Sequence, residues 1–119
     1  MGKRQRKRKR EGPAATAATS DYTDPEGNVL TLRDELTEGT VRQLEGLESK
    51  PAASAEDRWQ RRVEFLFERL AVRWEIAGLP IESQKELLAR YRMAGFEERR
   101  AVRDLMAEHL RERLPGVEL

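Results

Sequence analysis

The sequence predicts a mainly α protein: a small three-helix bundle over about 55–114, preceded by a short β-hairpin and helix segment and by a disordered basic N-terminal arm. Three observations predict it. Apolar residues recur at intervals of three and four through the second half of the 119-residue chain. Capping signals bracket each apolar stretch. Seven Lys or Arg residues stand within the first ten positions, with no acid among them.

The arm comes first. Lys3, Arg4, Arg6, Lys7, Arg8, Lys9 and Arg10 repel one another, and the Ala/Thr/Pro/Gly stretch behind them offers nothing large to bury, so residues 1–20 are expected to be disordered. The formal net charge of +1 hides a partition: residues 1–10 carry +7, residues 11–54 carry −6, and residues 55–119 balance. Each block therefore has its own electrostatics.

Residues 21–48 read as an acidic hairpin plus a short helix. Asp24-Pro25-Glu26-Gly27-Asn28 is turn chemistry, because Pro25 presets φ and Gly27 or Asn28 accepts a positive φ. Val29-Leu30-Thr31-Leu32 follows with strand-favouring residues. A two-stranded hairpin is marginal alone, so Leu30, Leu32 and Leu36 are expected to rest on another element. Thr40-Val41-Arg42-Gln43 reads as a capping box for a short helix carrying Val41, Leu44 and Leu47. Residues 49–54 form a linker.

The bundle occupies residues 55–119. Ser54 followed by Glu56 and Asp57 supplies an N-cap and first-turn acids. Trp59, Val63, Leu66, Phe67, Leu70, Trp74 and Ala77 keep helical spacing, and Gly78-Leu79-Pro80 reads as the stop. A second helix opens at Ser83-Gln84-Lys85-Glu86 and ends at Gly95-Phe96. A third runs from Glu97 to about Leu114, with Val102, Leu105, Met106, His109 and Leu110 inward and Pro115-Gly116 closing it.

Targeting and membrane signals are not evident. The stretch after the basic run has no Leu, Ile, Val or Phe to form a signal-peptide core. No apolar run approaches the roughly 18 residues of a span. The expected address is the cytoplasm, or the nucleus in a cell that has one, since a Lys/Arg run is also import-like.

Catalysis finds little footing. There is no Cys, His109 is the lone His, and no Walker-A, GxGxxG or GxSxG run occurs. No enzyme activity, cofactor or metal is expected. A helix-turn-helix over Glu82–Met106 has the right outline, but its recognition helix would open on Glu97-Glu98, setting carboxylates against phosphates.

Two function classes remain. In the first, a small non-enzymatic protein holds RNA or DNA through Lys3–Arg10: a flexible polycation gains affinity as each neutralised phosphate releases counterions, without reading sequence. An RNA partner could be ribosomal. In the second, the protein is a helical adaptor or homodimer. On a wheel of about 100° per residue, Phe65, Val72 and Ile76 fall opposite the main stripe of the long helix and form a second apolar stripe, which either is covered by the hairpin segment or is the surface for a protein partner.

Overall fold

The computed structural model describes residues 18–47, 50–52 and 54–119. Its elements are β1 (Thr19–Thr23), β2 (Val29–Arg33), α1 (Glu38–Leu47), α2 (Ala55–Leu70), β3 (Ala71–Ile76), β4 (Leu79–Ile81), α3 (Gln84–Met93) and α4 (Phe96–Arg113). The strands form one antiparallel meander in the order β1-β2-β3-β4. Strand makes up 19% of the described residues and helix 55%, so the mainly α, three-helix-bundle expectation is corrected to a mixed α and β fold.

The correction lies at one place. The spacing predicts a helix running on past Leu70 to Ala77, whereas the chain leaves the helix at Ala71, whose N–H still bonds to the Phe67 carbonyl while its own backbone is extended. Beyond that point the sequence has a second period. Val72, Trp74 and Ile76 alternate with Arg73 and Glu75, and β-branched and aromatic residues suit a pleated surface. Non-local pairing decides between the two periods. β2 needs a partner on its second edge, and β3 supplies it, with Leu30 opposite Trp74, Leu32 opposite Ala71, and a bulge between Thr31 and Leu32. Leu30, Leu32, Ala71 and Trp74 are all buried.

Gly78 is accordingly not a helix stop. Ala77 (φ 52°) and Gly78 (φ 82°) form a two-residue turn with both φ values positive. That is the primed hairpin turn whose twist matches the flanking strands. It sets Ile76 opposite Leu79 and Pro80 opposite Glu75. Pro80 lacks an N–H and is tolerated because β4 is an edge strand.

The sheet packs one face inward. Tyr22, Leu30, Leu32, Trp74, Ile76 and Ile81 join Leu44 of α1, Val63, Leu66, Phe67 and Leu70 of α2, Leu87 and Tyr91 of α3, and Val102, Met106 and Leu110 of α4 in one contiguous core. Phe67 is its hub: its ring stacks on Tyr91 at 5.0 Å and meets Trp74 edge-on at 5.8 Å. The outer sheet face is polar, as shown by Thr31 Oγ1 donating to Asp21 Oδ1 at 2.7 Å and by the Arg73–Glu75 ion pair.

Caps fix the helix starts. Ser54 and Ser83 accept from the backbone N–H groups of Asp57 and Glu86. α1 opens earlier than its predicted box, because Thr37 rather than Thr40 takes the cap position and accepts from the Thr40 N–H at 3.1 Å. Asn28, buried at the end of the first turn, ties the two hairpins together. Its Oδ1 accepts from the Ala77 N–H at 3.1 Å and its Nδ2 donates to Asp24 Oδ2.

Candidate functional site

Lys3, Arg4, Arg6, Lys7, Arg8, Lys9 and Arg10, the predicted polyanion-binding residues, lie outside the described residues. The predicted partner stripe is divided between two elements: Phe65 sits on α2, and Val72 and Ile76 on β3. Phe65 and Ile76 pack against the core, and the Arg69 guanidinium covers the Phe65 ring at 5.0 Å. The single long helix that was to carry all three as one stripe does not form.

His109 is fully buried, and both of its ring nitrogens are occupied. Nε2 lies 2.7 Å from the Arg33 carbonyl, which can only accept, so Nε2 carries the proton. In that tautomer Nδ1 accepts from the Tyr22 hydroxyl at 2.7 Å. Asp34 is 4.0 Å from Nε2, too far to compete with the carbonyl, and instead accepts from Ser20 Oγ at 2.6 Å. Burial, followed by the nearby Glu112 carboxylate, raises the Tyr22 pKa above its ordinary value of 10. This satisfied network ties β1 and β2 to α4 and presents no exposed nucleophile or base.

A cleft of about 430 Å³ opens between α2, the end of α3 and the first half of α4. Helical spacing places Phe96, Arg99 and Arg103 on one face of α4, and Trp59 and Val63 on the facing side of α2. Phe96 is 64% exposed, beside Met93 at the α3–α4 corner. The Arg103 guanidinium lies 5.0 Å from the centroid of the Trp59 ring. Arg99 donates through Nη1 to the Ala94 carbonyl at 2.7 Å, closing the end of α3.

Charge on the cleft wall is unevenly committed. Arg92 is held by Glu64 through Nε at 2.9 Å and Nη2 at 2.7 Å, and that hydrogen bond raises its pKa further. Glu56 accepts from Gln60. Among the described residues neither Arg99 nor Arg103 has a carboxylate partner.

Phe96 also borders a shallower hollow on its other side, where Glu26, Glu97 and Glu98 gather and Arg90 is bound to Glu98 at 2.9 Å. The two sides of this ring thus differ in sign.

Sequence reasoning placed Trp59 in a core stripe and read Phe96 as a helix boundary. The signal for the cleft was the Phe96-x-x-Arg99-x-x-x-Arg103 spacing, which has meaning only once α2 packs opposite it. Among the described residues no helix is long and apolar enough to cross a membrane. Comparison of the chain with family models, with curated proteins and with solved structures returned no match.

Proposed function

We propose that this is a small, non-enzymatic, nucleic-acid-associated protein, in which a polybasic N-terminal segment supplies affinity and a mixed α and β domain carries it. The observation behind this reading is the +7 charge packed into residues 1–10 of a chain whose remaining residues are acidic or balanced. Such a segment attracts a phosphate backbone by counterion release and steers encounter over long distances. The Arg99 and Arg103 guanidinium groups, without carboxylate partners among the described residues, support the same polarity of ligand. The adaptor reading has less support, because Phe65 and Ile76 are engaged with the core.

The test is fluorescence anisotropy on a labelled single-stranded RNA across a salt series. The full chain is expected to bind with a steep salt dependence, with a log–log slope of up to about −5 on this single strand if all seven charges engage. Removing residues 2–10 abolishes most of the binding and flattens the slope. Equal binding by both proteins would end this reading.

A further inference from the structure

We infer that the cleft between α2 and α4 seats one unpaired nucleobase, stacked on Phe96, with the adjoining phosphate on Arg99 and Arg103. This rests on the nucleic-acid reading above and deepens it, since a polybasic segment without an aromatic residue gives charge but no stacking.

A single exposed apolar side chain needs no explanation. Phe96 differs in its setting. Its ring, 64% exposed, lines a cavity of about 430 Å³ opposite Trp59, within the ~300–1,000 Å³ range of small-ligand clefts. Every base has a π-face, so an open aromatic ring accepts bases without reading sequence. Arg103 already lies against the Trp59 ring, which holds its planar guanidinium at the cleft wall instead of letting it extend into solvent. Arg99 is anchored through Nη1 alone, so its remaining N–H groups are available to an anion.

Electrostatics orients the ligand. On the far side of Phe96 the carboxylates of Glu26 and Glu97 repel a phosphate, whereas on the cleft side Glu64 is neutralised by Arg92 and the one remaining carboxylate, Glu56, is outnumbered by Arg99 and Arg103. A nucleotide stacked on this ring therefore turns its phosphate toward α2 and the two arginines. Duplexes are excluded, because their bases are not available to stack on a protein ring.

The experiment uses the full chain and two probes of equal charge: a single-stranded uridine-rich RNA 12-mer and an abasic 12-mer of the same backbone. The native protein is expected to prefer the base-bearing probe. Phe96→Leu, which keeps apolar bulk and removes the ring, is expected to weaken RNA binding about tenfold, the order of one lost base stack. It should leave abasic binding unchanged, and Phe96→Trp should restore RNA binding. Arg103→Gln is expected to weaken both probes and to reduce the salt slope by about 1. Equal affinity of the native protein for the two probes, or RNA binding untouched by Phe96→Leu, overturns the base seat while leaving the basic segment's role intact. An equal effect of Phe96→Leu on a poly-glutamate peptide overturns it in favour of an acidic-peptide groove. Failure of the nucleic-acid reading itself would look different: loss of residues 2–10 would change neither affinity nor salt slope.

Discussion

Tyr22 and His109, 87 positions apart, share a 2.7 Å hydrogen bond that joins the first strand to the last helix. The rings also meet edge-on, with centroids 5.4 Å apart. Because the second imidazole nitrogen is bound to the Arg33 carbonyl, one histidine fastens β1, β2 and α4 at a single point.

Tyr22→Phe removes the hydroxyl and leaves a buried ring nitrogen without its donor. The expected cost is about 1–3 kcal/mol, read as a lower urea midpoint at neutral pH with an unchanged slope.

The same residue sets an alkaline dependence. The phenol's pKa is raised in the folded protein, so the unfolded chain ionises first as pH rises. Its contribution is whole below the unfolded value near 10 and is lost as pH climbs through the higher folded value. Relative to the native protein, Tyr22→Phe should show a shallower fall in stability above about pH 10. Parallel urea titrations of the two proteins check this.

Asn28→Ala is expected to release the β3–β4 turn. It removes the acceptor of the Ala77 N–H and a donor to Asp24. A loss of about 1–3 kcal/mol should accompany faster hydrogen exchange at the Ala77 amide than at amides of α2.

Ala77→Gly or Ala77→Asn should stabilise the chain by about 0.5–1 kcal/mol. Ala77 holds a φ of 52°, in the left-handed region that its Cβ disfavours and that Gly and Asn accept. Gly78→Ala, at φ 82°, should lose about 1 kcal/mol or more. Thermal melts of the three variants give opposite signs if the primed turn is formed.

Trp74→Ala tests the strand that replaces the predicted helix end. Trp74 is 1% exposed and touches Phe67, so about 3–5 kcal/mol should be lost.

Much of this fold can be read from local chemistry. Pro25 and Gly27 mark the first hairpin, Ser83 opens α3, and Gly95 and Pro115-Gly116 bracket α4. β1 begins at Thr19, inside the stretch 1–20 expected to be disordered, and between Ala71 and Pro80 two periods coexist. Phe67, Leu70, Trp74 and Ala77 continue helical spacing, while Val72, Trp74 and Ile76 satisfy the alternation of a strand. Local periodicity does not break that tie; the edge of β2, with Leu30 and Leu32, does. The candidate site divides in the same way. Charge in Lys3–Arg10 is visible in one dimension, but Trp59 and Arg103 become neighbours only through the packing of α2 against α4.

The partnership of β2 with β3 spans α1 and α2, which lie between them in the chain. Ordering so long an intervening stretch costs entropy before the central ladder returns any of it. The ladder between β2 and β3 is therefore a non-local step of assembly, as is the longer-range contact of Tyr22 with His109. On a ribosome that ladder cannot close until the chain through Ile76 has emerged, so the burial that Leu30 and Leu32 find against Trp74 and Ala71 waits for residues some forty positions downstream.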